Sequence, residues 1–384
     1  MRPDSVELAE AAAGWVGAYV HVPFCARICP YCDFNVVEGR DDSQPQYVTA
    51  VQAEIAAEPD WEPLDSVAVG GGTPSRLPPE ALTGVLAAIR SRFGFNADVE
   101  VGIEANPEDW SWAMAESLVR GGFNRVSFGA QSFDPGVLTS LGRIHQPPDI
   151  AAGVQIARRA GFRSINLDLM YGTPGESAES WRASVEEALA LEPDHLSLYA
   201  LTVERGTALS RSITAGAPAP DEDDQADKYE MARARLLDAG YVRYEVSNFA
   251  TPGHACRYNL LTWAQGEYLG FGPGAHGHRG TQRYRNIHRL DAYLKAVREG
   301  RRPEQGRDAQ TPWEREQERL ILGLRRVAGV EAGCAGGALA EDEWGRRLFA
   351  AGLLVWDGTR IVVDKPLMGS EAARAVLALA SGDC

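Results

Sequence analysis

The sequence predicts an α/β protein: a partial (β/α)6 TIM-like barrel followed by a smaller C-terminal α+β module of winged-helix type. Three observations predict it. Short β-like runs alternate with amphipathic stretches over the first two hundred residues, and chemically loaded residues recur where those runs end. Beyond about residue 311 the order changes to helix, helix, two short strands and a closing helix.

The β-like runs fall at 18–22, 66–69, 99–104, 125–128, 164–169 and 195–201, and the amphipathic stretches at 47–57, 79–93, 110–121, 149–160 and 177–191. Repeated βα units in one direction give a parallel sheet covered by helices, as a partial barrel or an open doubly wound sheet. Gly70-Gly71-Gly72-Thr73-Pro74 follows the second run and Glu104-Ala105-Asn106-Pro107 the third. Gln131 follows the fourth, Asp168 closes the fifth and Tyr199 lies on the sixth. Loops at the carboxyl ends of barrel strands converge on one mouth, so polar residues recurring there favour a barrel enclosing a cofactor. Residues 215–224 read as a linker, 225–239 as a helix, and the rest of 225–300 as Gly-rich turns with an aromatic-rich stretch. In the C-terminal module the strands are expected at 353–356 and 360–363, and the last helix at 370–380. The expected divisions are 1–17, an N-terminal segment; 18–210, the barrel core; 211–310, its extension; and 311–384, the C-terminal module.

Composition narrows the function classes. With 38 basic against 53 acidic residues the net charge is −15, which argues against a broad nucleic-acid-binding face, and the C-terminal module has no basic recognition helix. No run of about 18 apolar residues exists to span a membrane, leaving peripheral association open. Asp4, Glu7 and Glu10 interrupt any apolar leader. The expectation is a cytoplasmic protein, as monomer or homodimer.

Half of the six cysteines fall within eight residues: Cys25, Cys29 and Cys32 in the spacing C-x3-C-x2-C, directly after the first strand, while Cys256, Cys334 and Cys384 are scattered. Three thiolates on one loop hold three irons of a [4Fe–4S] cluster and leave the fourth open. An open iron chelates the amino and carboxylate groups of S-adenosylmethionine, whose sulfonium C–S bond an electron from the cluster then breaks. A structural zinc site from Cys25, Cys29, Cys32 and His21 is the alternative, although x3 followed by x2 is not the usual zinc spacing.

At this motif the chain resembles the radical S-adenosylmethionine proteins, in the branch that holds oxygen-independent coproporphyrinogen III oxidases and the HemW group of haem chaperones. The resemblance spans residues 18 to about 365. It rests on Tyr19-Val-His-Val-Pro-Phe-Cys25, Gly70-Gly-Gly-Thr-Pro-Ser75, Ser127-Phe-Gly-Ala-Gln-Ser-Phe-Asp134 and Leu141-Gly-Arg-Ile-His145. Further motifs are Asn166-Leu-Asp-Leu-Met-Tyr-Gly172, Tyr244-Glu-Val-Ser-Asn-Phe-Ala250 and Gly272-Pro-Gly-Ala-His-Gly277. It implies that Cys25, Cys29 and Cys32 ligate the cluster and that Tyr19 and Tyr31 lie beside S-adenosylmethionine. The Gly71-Gly72-Thr73 backbone would meet the methionyl end, where a ligand approaches a chain without Cβ atoms. Glu104, Gln131, Arg143 and Asp168 would reach the amino, carboxylate and ribose groups. Read singly, Glu104 and Asp168 equally suit helix caps and Arg143 a surface ion pair.

Two departures separate this chain from the oxidases. Phe34 stands where they carry an extra cysteine, and their long N-terminal extension is missing. Both favour the haem chaperones, implying haem, haem-requiring client proteins and a reductant protein as partners. Their H-N-x-x-Y-W motif aligns with Tyr258-Asn259-Leu-Leu-Thr262-Trp263, so tyrosine replaces the histidine. A phenolate is a possible axial haem ligand; Tyr258 as a packed aromatic, and Cys256 or His254 as ligands, are the alternatives. Asn259 and Trp263 complete this candidate haem or substrate set. The branch also contains methyltransferases and cyclopropanases that act on small molecules with a second S-adenosylmethionine, a second class of function. Gly272-Pro-Gly274-Ala-His276-Gly277 matches G-x-G-x-x-G but lacks the following helix and acid of a dinucleotide site.

Overall fold

Six parallel strands succeed one another in the computed structural model, which describes residues 8, 10–380 and 382. Asp4, Glu7 and Cys384 lie outside the described residues. The strands are β1 (Val16–Val22), β2 (Leu64–Gly71), β3 (Phe95–Ala105), β4 (Arg125–Gln131), β5 (Ser164–Tyr171) and β6 (His195–Ala200). Their hydrogen-bonded order is the chain order, without reversal. A doubly wound sheet reverses at a switch point, so this order is that of a barrel arc. Val20, Val69, Val101, Ile103, Leu167 and Leu198 are fully or nearly fully buried along it, each stabilising by about 1.5–3 kcal/mol.

The connecting helices are α1 (Gln44–Ala57), α2 (Pro79–Phe93), α3 (Trp112–Gly121), α4 (Pro135–Ser140), α5 (Pro147–Ala160) and α6 (Ala178–Ala190). Their starts are written locally. Proline occupies the first turn of α1, α2, α4 and α5, where its missing N–H costs nothing. Ser111 and Ser177 cap α3 and α6, Asp134 caps α4, and Gln146 with Asp149 forms a capping box on α5, satisfying otherwise orphaned amides.

The expected Gly-rich turns after residue 239 are instead strands that widen the sheet. After α7 (Ala208–Thr214) and α8 (Glu222–Asp238) come β7 (Val242–Arg243), β8 (Asn248–Ala250), α9 (Arg257–Trp263) and β9 (Glu267–Phe271). Then follow β10 (His276–Arg279), β11 (Gln282–Asn286), α10 (Leu290–Arg298) and β12 (Glu304–Ala309). The twelve strands run β12-β11-β10-β9-β1-β2-β3-β4-β5-β6-β8-β7, and β9 joins β1 in parallel. These strands are short and broken by glycine, so they lack the period that exposes a strand in sequence.

The remaining chain forms α11 (Pro312–Gly323), β13 (Val330–Glu331), α12 (Gly333–Glu341), α13 (Glu343–Ala350), β14 (Leu354–Trp356), β15 (Arg360–Val363) and α14 (Gly369–Leu377). Its three strands pair antiparallel in the order β13-β15-β14. Leu320, Leu339, Ile361 and Val376 bury a hydrophobic core of their own.

Candidate cofactor site

The carboxyl ends of β2 to β6 open into a cavity of about 860 Å3, within the range of small-molecule sites. The loop carrying Cys25, Cys29 and Cys32 forms one wall, and Ile321, Arg325 and residues 366–373 of the C-terminal segment another. All three expected cysteines face this space, and so do Tyr31, Gly71, Gly72 and Thr73 from the loops. Glu104, Gln131, Arg143 and Asp168 complete the set that the structure brings together.

The cysteine loop is pinned at both ends. Its start is gripped by the glycine turn after β2: the Gly72 and Thr73 amides donate to the Val22 and Phe24 carbonyls, both at 2.8 Å. Its end is held by Asn35, whose carbonyl lies 2.8 Å from His21 Nε2 and whose side chain donates to the Pro273 and His288 carbonyls. A two-residue parallel ladder, Phe24–Cys25 with Val37–Glu38, closes the neck. The glycines therefore serve the protein's own contacts. A Cβ on Gly70 would stand 2.7 Å from the Glu104 carboxylate, and one on Gly71 (φ +110°) 2.5 Å from the His21 ring. No side chain fits there.

Thiol environments differ along the loop. Thr73 Oγ1 lies 3.6 Å from Cys25 Sγ and Arg143 Nη1 3.7 Å from Cys29 Sγ. Burial pushes the Cys25 thiol up to about 11 and raises Cys32 as well. His21 is turned away, its Nδ1 3.4 Å from the Tyr19 hydroxyl and its Nε2 on Asn35, so the zinc alternative loses its fourth ligand. Among the described residues no three His, Cys, Asp or Glu side chains converge to hold a single metal ion.

Acidic and basic side chains both line the cavity. Glu104 Oε2 accepts from the Gly71 amide at 3.0 Å, while Asp168 accepts from Ser127 and Asn166, both at 2.8 Å. Neither caps a helix. Enclosure within the cavity, with the nearby Asp168 charge, pushes Glu104 up to about 7, and enclosure raises Asp168 too. Arg143 is no surface ion pair: it donates to Asn106 Oδ1 at 2.5 Å and to the Gly129 carbonyl at 2.9 Å. Its Nε and the Gln131 Oε1 are buried without a protein partner, the condition of groups that await a ligand. Gln131 holds φ +62°, a rare backbone for a non-glycine residue that ends β4 at the cavity.

The central motif lies elsewhere. Tyr19, Cys256, Tyr258 and Asn259 line a smaller inner cavity of about 170 Å3, separated from the larger one by Glu104, Ser127, Asp168 and Tyr199, which face both. Tyr19 stacks on Tyr258 at 5.8 Å between ring centroids, so Tyr19 meets the aromatic stack and not the main cavity. Burial raises both phenols well above their ordinary value and lifts Cys256 to about 12. Trp263 lines neither space and packs under the Arg325 guanidinium at 4.3 Å.

Comparison with known proteins now settles the kinship. Residues 19–188 match the Radical SAM superfamily. The haem chaperone HemW of Mycobacterium tuberculosis is 41% identical over 355 residues, 90% of each chain. That of Bacillus subtilis is 35% identical over 321 residues, 82% of this chain and 84% of its own. The chain belongs to the HemW family. As a radical SAM protein of this family it uses a [4Fe–4S] cluster and S-adenosylmethionine. The fold agrees with that of coproporphyrinogen III oxidase (HemN) from Escherichia coli, with a TM-score of 0.84 at 24% identity, covering 98% of this chain and 93% of that one. Compared with the HemW-type reading of the sequence, the structure adds Asn106, Asn35 and Arg325 to the site. Asn106 was visible at a strand end; the other two act across 230 residues or more, or from the C-terminal segment, and no local pattern marks them.

Proposed function

We propose that this chain binds haem and delivers it to haem-requiring proteins. The observation that carries the reading is its likeness to HemW proteins along 90% of both chains. The cavity supports it: Cys25, Cys29 and Cys32 are three soft donors with no fourth cysteine among the described residues that line it, the set that suits a [4Fe–4S] cluster with one open iron. Glu104 suits the ammonium group of S-adenosylmethionine and Arg143 its carboxylate. Gln131, Asp168 and Tyr31 stand within the same cavity for the ribose and base, with Gly71, Gly72 and Thr73 along its edge. When bound, this pair of cofactors supplies one-electron cleavage of a sulfonium C–S bond. The chain's part is to hold charge-complementary groups in fixed positions around one cavity.

The reading requires a one-electron reductant protein, haem-requiring clients and a reducing, cytoplasmic setting, with the chain acting as a monomer or homodimer. No helix among the described residues is long and apolar enough to cross a membrane. The test is anaerobic cluster reconstitution followed by haem titration: a Soret shift and haem retained through gel filtration are expected, and no retained haem overturns the proposal. Cys29→Ala is expected to lose the broad visible absorbance of the iron–sulfur centre; unchanged iron content in that variant overturns the ligand assignment. Turnover that yields S-adenosylhomocysteine beside 5′-deoxyadenosine would establish methyl transfer instead.

A further inference from the structure

Haem is a flat, apolar macrocycle edged with carboxylates, and two spaces offer themselves. The inner cavity, beside the motif tyrosine, is about 170 Å3, below the roughly 300 Å3 at which small-molecule sites begin. Its Tyr258 is stacked on Tyr19 and set edge-on to Tyr268 at 5.8 Å. Those contacts are the packing of a core aromatic.

The outer mouth of the large cavity is different. Four large apolar side chains that line it are solvent-exposed: Ile28 at 42%, Phe34 at 64%, Ile144 at 53% and Leu367 at 38%. They come from three separate places, the cysteine loop, the turn after α4 and the short helix Pro366–Met368, so no single element's amphipathicity accounts for them. Exposed apolar groups gathered on one opening mark a binding site for an apolar partner. On the C-terminal wall beside them stands Arg325, held from two directions. Its guanidinium lies over the Trp263 ring at 4.3 Å and 3.7 Å from the Glu245 carboxylate. Glu245 is itself buried and engaged by the Ser247 amide at 2.9 Å and Asn248, while the Arg325 side chain stays 38% exposed. A planar guanidinium, oriented on one side and exposed on the other, is built to take a carboxylate.

Resting on the haem-binding reading, we infer that the mouth between the cysteine loop and the C-terminal segment seats the macrocycle. Phe34, Ile28, Ile144 and Leu367 cover its faces and Arg325 pairs with a carboxylate. The central motif then serves this site through Trp263 and Glu245, which position Arg325, and not through Tyr258.

The test is haem titration of the reconstituted full chain and four variants, each first checked for iron content and S-adenosylmethionine binding. Arg325→Gln, and separately Phe34→Ser and Leu367→Ser, are expected to weaken haem at least tenfold with the cluster intact. Tyr258→Phe is expected to bind as the parent does. Protoporphyrin IX and its dimethyl ester serve as metal-free probes: the parent is expected to prefer the diacid, and Arg325→Gln to lose that preference. Parent-like haem binding in Arg325→Gln and both serine variants overturns the site, as does loss of haem in Tyr258→Phe alone. Failure of the parent to bind haem at all overturns the proposed function instead.

Discussion

Arg143 places Nη1 3.7 Å from Cys29 Sγ while Nη2 is tied to Asn106 Oδ1 at 2.5 Å. A fixed cation beside a cluster ligand favours electron uptake at that centre, because the added negative charge is met by a group that need not reorganise. Arg143→Gln should therefore shift the cluster's reduction potential to more negative values at unchanged iron content. A redox titration followed by electron paramagnetic resonance reads this directly, and an unshifted midpoint would show the guanidinium to be electrostatically idle.

Glu104 links cofactor binding to pH. Enclosure within the cavity and the neighbouring Asp168 charge push it up to about 7, so below that value it holds a proton and offers no charge to an ammonium group. Affinity for S-adenosylmethionine should rise as pH increases through about 7. Glu104→Gln should bind on the order of tenfold or more weakly at pH 8 and lose that rise. Isothermal titration of the reconstituted protein between pH 6 and 8.5 separates the two curves.

Gly71 tests the glycine turn. Alanine there meets both a positive φ and the His21 ring 2.5 Å away, and a strained αL-type residue costs about 1–3 kcal/mol before any clash is relieved. Gly71→Ala should lower the urea midpoint and weaken cluster retention together, since the same turn grips the start of the cysteine loop. An exposed glycine that also holds a positive φ, Gly39→Ala, with nothing within 4 Å of its added Cβ, carries only the backbone part.

Glu54 gives the fold a pH dependence. Its buried carboxyl accepts from the Gly272 amide at 2.9 Å and from Asn286 and Tyr293, both at 2.6 Å, and burial still lifts it to about 7. Between the ordinary carboxyl value and about 7 the folded chain keeps a proton that the unfolded chain has lost. Stability from this group is thus full at the acid end of that window and falls as pH rises through it, by roughly 1.4 kcal/mol per pH unit per proton. Glu54→Gln should flatten the slope between pH 5 and 7 by up to one proton. It should also cost about 1–3 kcal/mol overall, because its amide N–H2 now faces donors. Urea midpoints across that range measure both.

Much of the barrel was legible because its signals are local. A βα unit of this arc carries an apolar run, a turn and an amphipathic helix, as in Ser164–Tyr171 followed by the Ser177 cap and α6. Strand ends bearing Glu104, Gln131 and Asp168 announced the cavity for the same reason. What stayed hidden depends on distance in sequence. Nothing near Asn35 says that its amide bridges to Pro273 and His288, and nothing near Trp263 says that its ring supports Arg325. The inward turn of Tyr258 onto Tyr19 was equally unmarked in sequence: it is set by the packing of α9 on β1, where Leu261 and Tyr258 crowd Gly17.

The doubly anchored cysteine loop has a consequence for assembly. Small metal domains fold only when metal arrives, because the ion supplies the cross-links their chain lacks. Here the neck ladder, the glycine turn and the Asn35 bridge supply those cross-links in protein alone. Chelating the iron should leave the far-ultraviolet dichroism and the cooperative unfolding of the barrel largely intact. Folding and iron loading are then separate events, and a cluster lost to oxygen is replaced on a standing scaffold without the chain having to fold again.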